Sequence, residues 1–137
     1  SSLGGLVAAW LAARQPHVVE GLVLLAPALR FLPRMRAAAQ REGRITLEHA
    51  TGRIEFGPRM HDDLARFDER ELAGAIAAPT FIAHGELDDA VPLAASEDFV
   101  TRLAAGRRQL FVVKRGDHRL NREIDAVLAA AGEFHGW

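Results

Sequence analysis

The 137-residue chain has no cysteine, which excludes a disulfide scaffold, a thiolate nucleophile and any zinc site built on cysteine ligands. Long hydrophobic runs are missing too: no stretch approaches the roughly 20 apolar residues that cross a bilayer as a helix. Neither charge is in excess. Seventeen Lys and Arg stand against 18 Asp and Glu, a formal net charge of -1, and the basic residues are spread along the chain, so it lacks the electrostatic footprint of a nucleic-acid binder. There is no internal repeat, no low-complexity tract and no initiator Met. The reading is therefore the C-terminal part of a longer single domain, covering 1–137, with a cytoplasmic location as the working expectation. What is present, 49% hydrophobic and 26% charged residues, suits a soluble globular domain with one core.

Periodicity sets the elements. Leu6, Val7, Trp10 and Leu11 recur at helical spacing between Gly4 and Gln15, and Pro16 stands where that helix should end. Leu22 to Ala26 is a short apolar run closed by Pro27, as expected of a strand buried on both faces of a parallel sheet. An Arg-rich excursion follows, about 28–78, with a helix expected near Arg34 to Glu42 and short strands near Ile45 to Leu47 and Ile54 to Phe56. Regular alternation returns with a strand at Thr80 to Ala83, a helix near Leu93 to Leu103, a strand at Leu110 to Val113 and a last helix at Arg122 to Phe134. That last helix shows Ile124, Val127, Leu128 and Ala131 on one face. The order predicts an α/β fold: a parallel sheet of about three strands flanked by helices, with a short lid-like excursion.

Three short motifs fall where loops leave the C-terminal ends of strands, the edge at which open α/β sheets assemble their sites. SSLGG opens the chain. With a glycine before Ser1 it would read G-S-S-L-G, the G-x-S-x-G nucleophile elbow with Ser2 at its centre. The backbone N–H of Leu3 is then one oxyanion-hole donor at a helix N-terminus. A Ser-Gly helix cap uses the same residue types. HGELDDAVP supplies two adjacent carboxylates, either of which could orient an imidazole or simply form a turn. RGDHRLN places His118 in a polar loop, suited to proton transfer or to mere solvation. Ser, Asp and His in that chain order, each after a strand, form a joint signal stronger than any one motif.

SSLGG, LLAPA, HGELDDAVP and GDHRL together resemble the α/β-hydrolase serine hydrolases, and among them the small esterases and the bacterial relatives of the mitochondrial palmitoyl-protein thioesterase. The resemblance spans the chain and is weakest over Arg36 to Leu72. It implies Ser2 as nucleophile, Asp88 rather than Asp89 as the acid, His118 as base and Leu3 as an oxyanion donor. It also implies hydrolysis of carboxylic esters or thioesters through an acyl-enzyme, with small-molecule substrates, no cofactor and no metal. In that family the second oxyanion donor comes from a loop outside this chain, so the missing N-terminal portion is expected as a partner in full activity. A non-catalytic binding or scaffold protein of the same fold is the rival reading, and Ser1 as an N-terminal nucleophile is a third.

Several other residues invite a role. His84 is a visible second histidine, expected in the turn after its strand and structural. His61 with Asp62 and Asp63 suggests a metal cluster but reads better as solvated charge, for want of a second ligand group at a suitable spacing. Arg30, Arg34 and Arg36 could meet an anionic leaving group or face water. Leu29, Phe31, Leu32, Met35 and Val91 are candidates for lining an acyl site, with packing as the alternative. Trp10 is expected in the core.

Overall fold

The computed structural model describes residues 1–31, 33, 35, 37, 45–49, 52–56, 69 and 71–137. In chain order the elements are α1 (Ser2–Arg14), β1 (Leu22–Leu25), β2 (Ile45–His49), β3 (Gly52–Phe56), α2 (Leu72–Ala75), β4 (Thr80–Gly85), α3 (Leu93–Arg102), β5 (Arg108–Val113) and α4 (Ile124–His135). The chain divides into two compact units, Ser1–Leu29 with Arg70–Trp137, and Arg30–Glu69.

The first unit is an open parallel sheet in the order β1-β4-β5. Its register pairs Val23 with Phe81 and Leu25 with Ala83 on one side, and His84 with Val112 and Gly85 with Val113 on the other. β4 is central and buried along its whole length, because parallel strands linked by helical crossovers are covered on both faces. The two-residue period sends Phe81 and Ala83 to one face and Thr80, Ile82 and His84 to the other. On the first face, Phe81 and Ala83 join Val113, Leu120, Val127, Ala131 and Phe134 in a buried cluster that seats α4. On the second face, Ser96 of α3 meets His84.

In the second unit β2 and β3 form an antiparallel pair with Ile45 opposite Phe56 and His49 opposite Gly52. Arg53 and Glu55 form an exposed ion pair on β3. Of the helix expected near Arg34 to Glu42, Met35 and Ala37 are helical, as are Phe31 and Pro33 before it; Arg34, Arg36 and 38–44 lie outside the described residues, as does the His61, Asp62 and Asp63 group.

Four expectations need correction. The inward face of α1 is Gly5, Leu6, Ala9 and Ala12, whereas Val7 and Leu11 are 61% and 50% exposed. Small residues let this helix come close to the chain after β1: a Cβ on Gly5 would lie 3.2 Å from Pro27 Cβ. Trp10 is only half-buried, its ring carrying the Arg14 guanidinium 5.2 Å from the centroid. Leu128 is 56% exposed, since the stripe of α4 that meets the sheet runs through Val127, Ala131 and Phe134. β1 alternates between buried and half-buried residues, because it lies at one end of the strand order.

Phe81→Ala should therefore cost about 3–5 kcal/mol by loss of transfer energy and an unfilled cavity. Leu128→Ala should stay within about 0.5 kcal/mol. Denaturant midpoints at unchanged slope check both.

Candidate active site

Ser2 begins α1 with φ +47°, a left-handed backbone that non-glycine residues avoid and that persists only where its surroundings enforce it. Two backbone bonds supply that enforcement. Gly5 N–H donates to Ser1 O at 3.0 Å to start the helix, and Ala28 N–H donates to Ser2 O at 2.9 Å to tie the turn to the chain after β1. Ser1 occupies the cap position with no side-chain cap bond. The Ser2 hydroxyl does not cap the helix either; it lies 3.0 Å from His118 Nε2.

His118 follows β5 in a loop brought against β4 by glycine. A Cβ on Gly85 would run into the carbonyl oxygens of Gly116 and Asp117, so only glycine lets the two chains approach this closely. Glu86 N–H donates to Val113 O at 3.0 Å and Leu87 N–H to Gly116 O at 2.9 Å, stitching the loop after β4 to the loop after β5. Asp117 Oδ1 accepts the N–H groups of Arg119 at 2.9 Å and Leu120 at 3.1 Å. This turn flanks the histidine and fixes its direction.

His118 Nδ1 lies 2.7 Å from Asp88 Oδ2. Because an ionised carboxylate only accepts, the proton sits on Nδ1, leaving the Nε2 lone pair for the Ser2 hydroxyl. The Asp88 side chain is fully buried and that of His118 is 24% exposed. A buried carboxylate needs several donors to offset lost hydration. Asp88 Oδ1 finds two in Ala90 N–H at 2.9 Å and Val91 N–H at 2.8 Å. The turn-forming and imidazole-orienting readings of this aspartate thus belong to different oxygens of one group. Asp89 is exposed.

Ser2, Asp88 and His118, far apart in sequence, come together in one hydrogen-bonded row. The Leu3 N–H precedes the helical ladder that Gly5 begins, as do the N–H groups of any first helical turn. Leu29 and Val91 are buried, and Val91 contributes its backbone to the Asp88 turn. Phe31 and Met35 belong to the second unit, and Leu32 is outside the described residues.

The histidine expected in a turn proves to be part of β4 and of this site. His84 Nε2 lies 3.1 Å from Asp88 Oδ2 and 3.0 Å from Val91 O, and its Nδ1 is 2.8 Å from Ser96 Oγ. Sequence reasoning missed this connection and Ser96 altogether. The available signal was the four-residue spacing from His84 to Asp88 across a tight turn. Among the described residues no group of three or more His, Asp or Glu is arranged to hold a metal, and no helix is long and apolar enough to cross a membrane.

Gly85→Ala should displace the 113–118 loop and lower stability by about 1–3 kcal/mol. The variant should also lose the low-field proton resonance of a His118 Nδ1–H held by a carboxylate; thermal unfolding and proton NMR read the two effects.

No protein-family model matches the chain, and no curated protein does. Solved structures do. The chain is similar to Est1E from Butyrivibrio proteoclasticus with ferulic acid bound (21% identity, TM-score 0.81), with 98% of this chain and 55% of that one covered. It is similar to mouse alpha/beta hydrolase domain-containing protein 10 (20%, TM-score 0.79), covering 99% and 60%. The monoacylglycerol lipase of Paleococcus ferrophilus gives 18% and TM-score 0.70, covering 97% and 65%. The chain thus spans somewhat over half the length of these proteins. The order of elements, the parallel sheet and these likenesses agree on one conclusion: this chain folds as the corresponding part of an α/β-hydrolase.

Proposed function

We propose that the chain carries the nucleophile, base and acid of a serine hydrolase acting on carboxylic esters or thioesters. The observation that carries the reading is the row from Ser2 Oγ to His118 Nε2 at 3.0 Å and from His118 Nδ1 to Asp88 Oδ2 at 2.7 Å. Each distance lies within the reach that proton transfer requires. Supporting it are the left-handed Ser2 and the esterase and lipase character of the structural neighbours.

In this mechanism His118 Nε2 takes the Ser2 proton as Oγ attacks the acyl carbonyl carbon. The carbonyl oxygen becomes an oxyanion, stabilised by the Leu3 N–H at the start of α1. Asp88 holds the ring and stabilises the imidazolium that forms. His118 then delivers its proton to the departing alcohol or thiol, leaving the acyl group on Ser2. Water, deprotonated by the same nitrogen, attacks this ester, and the acid departs as Ser2 regains its proton.

The second oxyanion donor is assigned to the N-terminal portion of a longer protein, which would also pair with β1. Leu29 and Val91, buried in the unit that holds the row, are proposed to contribute to the acyl side.

A fluorophosphonate should add covalently to Ser2 in the full-length protein, located by peptide mass, and Ser2→Ala should abolish the adduct. Asp88→Asn should lower kcat by about 10⁴-fold, because the amide favours the wrong imidazole tautomer. A folded protein that never labels would instead support the binding or scaffold reading.

A further inference from the structure

We propose that His84 and Ser96 form a positioning pair that holds Asp88 from beneath, an inference that rests on the serine-hydrolase reading above. Both residues are completely buried, a costly place for polar side chains unless every group is matched.

The surroundings decide the ring's proton. Nε2 faces two oxygens, Val91 O at 3.0 Å and Asp88 Oδ2 at 3.1 Å. A bare nitrogen lone pair there would repel both, so Nε2 carries hydrogen. Nδ1 faces Ser96 Oγ at 2.8 Å, whose hydroxyl donates to it. Ser96 stands in the first turns of α3 and His84 on central β4, so the ring is anchored to two regular elements rather than to loops.

That ring then acts on both oxygens of the acid. Its N–H bond to Val91 O pins the turn from Asp88 to Val91, whose N–H groups from Ala90 and Val91 hold Oδ1. The positive end of the same N–H lies beside Oδ2, the oxygen that receives His118. With Oδ1 and Oδ2 both fixed, the carboxylate has one direction in which to hold His118, and hence Ser2. The ring nitrogens of His84 meet Ser96, Val91 and Asp88; its role is positioning, and Ser96 selects its tautomer.

The test compares the wild-type full-length protein with His84→Leu, His84→Gln and Ser96→Ala. It uses p-nitrophenyl butyrate turnover, fluorophosphonate labelling rate and the low-field His118 proton. His84→Leu should reduce kcat and the labelling rate by about 10²-fold, the scale of a misplacement near one ångström. KM should hold, and the low-field resonance should shift or broaden. His84→Gln, whose amide can place an N–H near the position of Nε2, should recover a substantial part of the rate and the resonance. Ser96→Ala, nearly isosteric, leaves His84 Nδ1 without its donor at some cost in stability; checked as folded by thermal unfolding, it should show the same signature at smaller size. Wild-type kcat and an unmoved resonance in folded His84→Leu or Ser96→Ala would overturn the proposal. So would equal losses in the Gln and Leu variants with the resonance intact. If the wild type neither labels nor turns over, the hydrolase reading fails separately, and the resonance still decides whether His84 and Ser96 govern the Asp88–His118 contact.

Discussion

A carboxylate taken wholly out of water is the constraint on which this molecule is arranged. Asp88 is fully buried at its side chain, and its two oxygens meet two backbone N–H groups, one imidazole nitrogen from His118 and another from His84. Without that company the charge would be expelled or neutralised. With it, the group becomes a fixed reference from which the neighbouring ring takes its tautomer and its direction. Much of the local structure reads as service to this group: the tight turn to Val91, the loop that delivers His118 and the inward His84.

Parallel-sheet topology explains why distant segments serve one carboxylate. Three strands running the same way end at one edge, so the chain leaving β4 and the chain leaving β5 emerge side by side. Gly85 then removes the side chain that would hold those exits apart, and bonds from Glu86 and Leu87 across to Val113 and Gly116 fix their spacing. The helix after the opening serines is joined to the same edge through Ala28 and Ser2. The strained backbone at Ser2 is sustained by these ties, a local cost that the rest of the fold offsets.

Legibility in the sequence followed the physics of each element. The central strand was plain because Thr-Phe-Ile-Ala between Pro79 and His84-Gly85 is an unbroken apolar run in a polar context. α3 lies where a helix was expected after the polar loop, and β2 and β3 overlie the two short strands expected in the excursion. α1 misled. Its apolar residues surround the helix, so periodicity alone could not say that small Gly5, Ala9 and Ala12 turn inward while Val7 and Leu11 face out. Close approach to Pro27 decides that, and approach distance is a tertiary quantity. Leu128 failed for a related reason: the stripe that meets Phe81 is narrower than a helical wheel suggests.

By itself the sequence determined the alternation of strands and helices, the order Ser, Asp, His, and the presence of glycine where two chain exits must nearly touch, because each depends on residue type and local spacing. The resemblance already implied Ser2 and Asp88; only the tertiary structure set the distance from Ser2 to the imidazole, buried the Asp88 side chain and brought His84 against it with Ser96. Those arrangements depend on which atoms end within hydrogen-bond reach after folding, at separations of 116 residues for Ser2 and His118 and 30 for Asp88 and His118, where local preference carries no information about distance.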